Sequence, residues 1–294
     1  MSMNMRTRFF LAFSVAAVAL SALYVVRGTL HKEQGDRGGV ERLATAKQPE
    51  NAAYLGSATA RPYRRVEVDP AVALAYALLN NGSSMQIALE RVAGPDGAIS
   101  SRELATLVQT AEGACSDVRN NAAHYLGDAQ RRDPTRSWAT TRLVEICHDF
   151  DASKYTFTFP ADGLSRVVNE EGATRAIEAS LRAVKRESDP SELYTAGQIL
   201  LEKDRGTLSA ILPGAGREYG DEEIMKAWAL ATTMLACHEA GGCGPRSLQT
   251  AAFCANTGCQ PGSDFPRAVR QRLPESEYRA VNALYAWMIN QRRS

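Results

Sequence analysis

Six cysteines are the residues of this 294-residue chain whose number and spacing most directly indicate chemistry. An even number of thiols in an exported protein is typical of a disulfide framework. The last four thiols repeat one arrangement: a cysteine at the end of a predicted helix, a turn that contains glycine, and a second cysteine. Glycine can adopt the left-handed conformation that ends a helix and turns the chain back. We therefore predict the pairs Cys237 with Cys243 and Cys254 with Cys259, and by elimination Cys115 with Cys147.

Two alternatives compete with this pairing. Crossed pairing of the last four cysteines requires the predicted helix 247–255 to be too short or too bent to separate the two turns. A zinc site would use the same thiols, with His238 as a further ligand. The two cysteine pairs do not both have the two- to four-residue gap expected of the two halves of a zinc site, and exported thiols are usually oxidised. We therefore expect disulfides and no metal.

The histidines do not form a recognisable catalytic or metal-binding motif. They are His31, His124, His148 and His238, and none belongs to a His-Glu-x-x-His pattern. His148 precedes Asp149 and Asp151, a cluster that could bind a cation or orient a base. We interpret this cluster as a solvated helix end, where a histidine meets the negative end of the helix dipole.

Several glutamates are candidates for the general acid of a glycan hydrolase. They are Glu170, Glu171, Glu222, Glu223 and Glu275. Each lies beside a predicted helix start or turn, where an acidic residue is stabilised by the helix dipole without any catalytic role. The three tryptophans, Trp138, Trp228 and Trp287, fall on apolar faces of predicted helices, which favours core packing over ligand stacking. We expect no catalytic residue and no cofactor in this chain.

The segment Phe9–Val26 is almost uninterrupted in its apolar character and follows Arg6 and Arg8. About 18 residues rising 1.5 Å each are long enough to cross a hydrocarbon layer of roughly 30 Å. Because any cleavage after Ala19 and Ser21 would leave an apolar stub, residues 1–27 are interpreted as an uncleaved signal anchor. A cleaved signal peptide or a buried N-terminal helix is the alternative. We expect a single pass through a bacterial inner membrane, with the main domain in the periplasm, or a secreted or periplasmic protein after cleavage.

Composition divides the remainder of the chain into two parts. Residues 28–65 are poor in large apolar side chains, which predicts a flexible tether. Residues 66–294 have the length of one large domain or two small ones, and we treat them as one disulfide-stapled domain. The chain has 34 basic and 33 acidic side chains, a formal charge of +1. This balance gives no electrostatic reason to expect nucleic acid as the partner.

Three Asp-Pro pairs predict where helices begin. Asp accepts hydrogen bonds from first-turn amides, and Pro at the first helical position gives up an amide that has no partner there. The predicted helices are Pro70–Asn80, Pro134–Cys147 and Pro190–Lys203. The sequence Ser100-Ser101-Arg102-Glu103 is read as a capping box that starts a fourth helix.

Further amphipathic helices are predicted from Asp221, from Ser247, and around Tyr278 to Met288. The only strand-like stretch, 155–159, is a lone edge strand or an extended connector. We favour the connector, because no partner strand is visible. The sequence thus predicts an all-α fold, an irregular stack of amphipathic helices behind the N-terminal segment.

The C-terminal cysteine segment places Trp228 and Ala236 before Cys237 and the run Cys243-Gly244-Pro245 after it. In this spacing it resembles uncharacterised exported α-helical proteins of Gram-negative bacteria, a resemblance that implies no activity. Because no set of catalytic groups converges in the sequence, we expect a membrane-tethered envelope protein that binds a protein or another ligand of the envelope. The alternative is an envelope hydrolase that acts on cell-wall glycan or peptide with a glutamate as general acid.

Overall fold

A computed structural model describes residues 66–157, 164, 167, 172–187, 189–212 and 218–293. The predicted anchor, Phe9–Val26, and the predicted tether, 28–65, lie outside these residues. Within the described ranges, none of the helices combines the length and the apolar character that a bilayer crossing requires.

The fold is all-α, as the helical patterns predict. The first core-forming helices are α1 (Pro70–Asn80), α2 (Met85–Glu90), α3 (Arg102–Asn120), α4 (Ala122–Leu126), α5 (Asp128–Arg132) and α6 (Pro134–Cys147). Those that follow are α7 (Ala173–Arg186), α8 (Pro190–Lys203), α9 (Arg205–Ile211), α10 (Asp221–Ala240), α11 (Leu248–Thr257), α12 (Phe265–Arg272) and α13 (Glu275–Gln291). Two strands, β1 (Ala98–Ile99) and β2 (Thr156–Phe157), and the single 3₁₀ turns Pro95–Gly97 and Ala152–Lys154 complete the described elements.

The three Asp-Pro pairs begin helices at the predicted residues, and the bounds of α1, α6 and α8 match the prediction. In each case the aspartate side chain accepts a hydrogen bond from the backbone amide two residues later, at 2.8 Å, 2.9 Å and 3.1 Å respectively. Proline removes one of the other first-turn amides that would lack an intrahelical partner. The local sequence therefore determines these starts without help from tertiary contacts.

Two local predictions need correction. The N-cap of α3 is Ser101, one residue later than predicted, and its hydroxyl accepts from the Leu104 amide at 3.3 Å. The third helical residue is then Leu104 and not Glu103, so the predicted capping box is replaced by a simple serine cap. The stretch after Tyr155 also has a partner strand, because β2 pairs in parallel with β1. The sequence could not reveal this two-residue ladder, since β1 is too short to show alternation.

The helices enclose two hydrophobic cores. The first core is built mainly by α1 to α4, α6 and α11, and the second mainly by α7 to α10, α12 and α13. Phe253 of α11 packs against both cores. Helix α3 contacts α8, and α1 contacts α10, so these helices meet where one core ends and the other begins.

The three disulfides are Cys115–Cys147, Cys237–Cys243 and Cys254–Cys259, the same pairs that the local sequence predicts. The first bridge links α3 to α6. In the other two, the glycine takes a positive φ immediately after the helix, +78° at Gly241 and +74° at Gly258. Because α11 lies between the two turns, each turn closes on its own cysteine and crossed pairing does not occur.

A fully buried ion pair holds the second core together at its C-terminal side. Arg292 Nη1 donates to Glu239 Oε1 at 2.5 Å, and both side chains are inaccessible to solvent. The same guanidinium donates through Nε to the Val184 carbonyl oxygen at 3.1 Å and through Nη2 to the Glu187 carbonyl oxygen at 2.5 Å. These contacts fix the end of α7 against α10 and α13.

Candidate functional site

An open groove of about 640 Å³ lies along one side of α6, and we call it the α6 groove. Its walls are the turn between α1 and α2, helix α2, helix α4 and helix α5. The lining side chains and backbone belong to Gly82, Ser84, Ile87, Tyr125, Leu126, Gln130, Arg131, Ser137, Thr140, Thr141, Val144, Glu145 and His148. Its volume falls in the range of small-molecule and peptide sites, which run from about 300 to 1,000 Å³.

The floor of the groove is one face of α6. Ser137, Thr141, Val144 and His148 recur at spacings of three and four residues, which places them on one side of a helix. The opposite side carries Ala139, Leu143 and Ile146 into the first core. Helix α6 therefore buries one face and presents the other, which is lined with hydroxyl groups, to the groove.

Two apolar side chains project into the groove although they are largely exposed. Ile87 of α2 retains 50% of its accessible surface and Leu126 of α4 retains 44%. Exposed aliphatic side chains of this size are common singly, but here two of them line the same concavity. This arrangement gives the groove an apolar contact surface above its hydroxyl-lined floor.

Buried hydrogen bonds fix the wall formed by α4 and α5. The Tyr125 hydroxyl of α4 donates to the Asp117 carboxylate of α3 and lies 3.2 Å from Asn256 Oδ1 of α11. Gln130 Nε2 of α5 donates to the Ala255 carbonyl oxygen at 2.6 Å and to Thr140 Oγ1 at 3.2 Å. The Gln130 bonds are buried and those of Tyr125 are partly buried, and together they anchor the wall to α3, α6 and α11.

Arg142 fixes the opposite wall. Its guanidinium donates to the carbonyl oxygens that end α1, through Nη2 to Leu79 at 2.7 Å and Ser83 at 2.8 Å, and through Nη1 to Gly82 at 3.1 Å. Nε donates to the Arg246 carbonyl oxygen at 3.1 Å. The side chain is 5% exposed. A single cation thus binds four backbone carbonyl oxygens at and after the end of α1 and in the loop at Arg246, and it connects α6 to both segments.

The charged groups that line the groove are few and mostly paired with other residues. Glu145 Oε2 lies 3.2 Å from Arg142 Nη1 and 4.0 Å from Arg246 Nη2. His148 Nδ1 lies 2.9 Å from Asp149 Oδ2, and both of these side chains are mostly exposed. Glu145 is the only carboxylate among the described lining residues. The described residues that line the groove therefore lack the pair of carboxyl groups that a glycoside hydrolase uses.

The structure brings one of the four histidines into the groove. His148 is the residue after α6 and lines the groove, whereas His124 and His238 are exposed elsewhere and His31 lies outside the described residues. The position of His148 at the end of α6 agrees with its interpretation as a solvated helix end. Over the described residues, no three His, Cys, Asp or Glu side chains are arranged to hold a metal ion. The six sulfurs are bonded to one another, so the zinc interpretation loses its ligands.

The candidate glutamates do not gather at one place. Glu223 Oε2 accepts a hydrogen bond from the Gly220 amide at 2.7 Å, a helix-start contact at α10. Glu222 and Glu275 are exposed in the first turns of α10 and α13. Glu170 and Glu171 lie outside the described residues. The described members of this set therefore stabilise helix starts, as the dipole argument predicts.

The tryptophans pack in the fold as their helical faces predict. Trp228 is fully buried in the second core, donates from Nε1 to the Leu193 carbonyl oxygen at 2.8 Å, and lies 6.0 Å from the Trp287 ring. Trp138 is partly buried and donates from Nε1 to the Cys259 carbonyl oxygen at 3.2 Å. This last contact joins the start of α6 to the Cys254–Cys259 turn.

Sequence reasoning missed the residues that build the groove. The segment 121–132 contains no strong helix signal, and its helices α4 and α5 have five residues each. A signal was present for Arg142, which follows Ala139 by three residues on the apolar face of α6. A lone cation on such a face indicates a buried group that needs several acceptors.

Comparisons with known proteins give no relative. No family model, no curated protein and no solved structure matches this chain.

Proposed function

We propose that this protein is a membrane-tethered protein of the bacterial envelope that binds a protein or another ligand through the α6 groove. The observation that carries this proposal is that two exposed apolar side chains, Ile87 and Leu126, line a groove whose walls are fixed by buried hydrogen bonds. A site that is already formed loses little conformational entropy when a ligand binds. The hydroxyl-lined floor of α6 supplies the polar groups that orient a bound molecule.

Binding is favoured over hydrolysis by the charges of the groove. Hydrolysis of a glycan by the common route uses two carboxyl groups on either side of the bond to be cleaved. The described lining contributes only Glu145, which is engaged by Arg142 and Arg246. The hydrolase alternative therefore has no support of this kind among the described residues.

The envelope location is supported by the three disulfides, since paired thiols are typical of oxidising compartments. It is also supported by the apolar segment Phe9–Val26, which follows two arginines. Mass spectrometry of the full-length protein, purified without reductant and treated with a thiol-alkylating reagent, tests this part. We expect no alkylation. Six alkylated cysteines would contradict both the bridges and the export.

Site-specific photo-crosslinking in cells tests the groove itself. A photoreactive amino acid is placed at Ile87, at Leu126, or at the control position Leu74, which is 47% exposed on α1 but does not line the groove. We expect a discrete adduct from the two groove positions and none from Leu74. The adduct formed from Leu126 should disappear when Ile87→Glu is added and persist when Leu74→Glu is added. Equal adduct formation from all three positions would refute a binding role for the groove.

A further inference from the structure

A buried carboxyl group lies at the boundary between the two cores. Asp189, the N-cap of α8, has no exposed surface, and its Oδ1 accepts from the Ser191 amide at 3.1 Å. Its Oδ2 is also buried and has no hydrogen-bond partner among the described residues. The other two Asp-Pro starts carry the same sequence signal but keep partly exposed aspartates. The complete burial of Asp189, with one carboxyl oxygen left without a partner among the described residues, is therefore not explained by its role as a helix cap.

The groups around Asp189 come from both cores. The Thr106 hydroxyl of α3 interacts with the carboxyl, and the Tyr76 phenol of α1 is close enough that a charge on Asp189 raises the pKa of Tyr76. Both belong to the first core, whereas α8 belongs to the second. Gln249 of α11 fixes the position of Tyr76, because its Nε2 donates to the phenol oxygen at 2.7 Å.

None of the described charges that act on Asp189 is a cation. The pKa of Asp189 is raised from 3.8 to about 7, mainly by burial, with a smaller contribution of the same sign from the carboxylates of Glu187 and Glu192; the Thr106 hydroxyl and the Ser191 amide act in the opposite direction. Glu187 Oε1 accepts from the Asp189 amide at 3.3 Å. The nearest cation on α3, Arg102, pairs with Glu192 at 2.8 Å. An ionised Asp189 would thus be a buried negative charge without a counterion among the described residues.

We propose that Asp189 is a pH-sensitive latch between the two cores: its neutral carboxyl lets α8 pack against α1 and α3, and its ionisation loosens that contact while each core stays folded. This inference concerns the boundary between the cores and does not depend on the proposed binding role of the α6 groove. The covalent structure permits such opening, because no disulfide joins one core to the other.

The sign of the pH dependence follows from the direction of the shift. When the cores separate, water reaches Asp189 and its pKa returns toward 3.8. The closed state then binds more protons than the open state, so closing is favoured at low pH and is lost as the pH rises through about 7. Between pH 3.8 and about pH 7, the ratio of closed to open molecules falls about tenfold per pH unit. Above about pH 7 this ratio is constant.

Hydrogen–deuterium exchange of the full-length protein in detergent micelles tests the latch. Rates are measured from about pH 5 to 8 and corrected for the intrinsic pH dependence of amide exchange. We expect the protection of the first turns of α8 to fall about tenfold per pH unit up to about pH 7. Buried amides within α6 and α13 should show no such slope.

Two variants and one matched control isolate the carboxyl. Asp189→Asn and Asp189→Ser both retain an N-cap acceptor without a titrating group, and both should remove the slope. Asp133→Asn changes the N-cap of α6, where the same Asp-Pro signal carries a partly exposed carboxyl of lowered pKa, and should leave the slope unchanged. A wild-type protein with no slope between about pH 5 and 7 would overturn the proposal even if neither variant folds. A slope shared by all amides would also overturn it, because the protein would then open globally.

Discussion

Replacing Arg142 with methionine should destabilise the protein more than any other single change of a charged residue in the first core. The variant keeps the apolar stem but removes the guanidinium, whose three nitrogens donate to four backbone carbonyl oxygens. Hydrogen bonds to a charged group contribute about 1.5–3 kcal/mol each, and a buried acceptor left unpaired costs about 1–3 kcal/mol. Because these contributions are not additive and water can reach the loop carbonyls, we expect a loss of about 4 kcal/mol.

Two further variants show whether this loss comes from the geometry of the guanidinium. Arg142→Lys keeps the charge but has a single side-chain nitrogen. That nitrogen cannot donate to the carbonyl oxygens near α1 and in the loop at Arg246 at the same time, so we expect the free energy of unfolding to fall by about 2 kcal/mol. Arg182→Met is the control, because Arg182 is 60% exposed and pairs with Glu178 at 3.8 Å. It should cost less than about 0.5 kcal/mol.

Urea denaturation followed by far-ultraviolet circular dichroism measures these losses as changes in the free energy of unfolding. For a domain of this size, 4 kcal/mol corresponds to a fall in melting temperature of about 8–16 °C. A loss from Arg142→Met that equals the loss from Arg182→Met would refute the reasoning. Equal losses from Arg142→Met and Arg142→Lys would also refute it, because the several donor nitrogens of the planar guanidinium would then contribute nothing.

Two other changes have expected outcomes that the same denaturation experiment measures. Double alanine replacement of the Cys115–Cys147 bridge, with its sequence separation of 32, should cost about 3.7 kcal/mol from loop entropy, against about 2.2 kcal/mol for the Cys254–Cys259 bridge. A larger loss from the short bridge would contradict this order. Gly197→Ala should cost about 1–3 kcal/mol, because its Cβ would lie 2.4 Å from Trp228 Nε1 in the second core. The control Gly206→Ala meets its nearest neighbour at 3.4 Å and should be close to neutral, and a comparable loss from both would argue against the clash.

The parts of the fold that the sequence predicts correctly are those determined by neighbours along the chain. The Asp-Pro pairs place the starts of α1, α6 and α8 because aspartate and proline act on the first turn of the same helix. The short disulfides follow from glycines one to four residues away from the cysteines. In these cases, the side chain and its partner are close together in the sequence.

The features that sequence reasoning missed depend on contacts between distant residues. Asp69 and Asp189 have the same local sequence, and only the packing of α8 against α3 buries the second. Arg142 finds its acceptors about 60 residues earlier and about 100 residues later. The α6 groove was not predictable because helices α4 and α5 are too short to show a periodic pattern.

The arrangement of the bridges determines how the protein responds to a pulling force. Cys115–Cys147 and Cys254–Cys259 lie within the first core and Cys237–Cys243 at the second, so the covalent link between the cores is the peptide backbone. Under tension, the load between the cores falls on the contacts of α3 with α8, of α1 with α10 and of α11 with α12. The Cys115–Cys147 bridge, with its sequence separation of 32, prevents about 110 Å of backbone from being pulled out. If one end is tethered and the groove is bound, as proposed above, tension can lengthen the protein by separating its cores while the disulfides within each core stay intact.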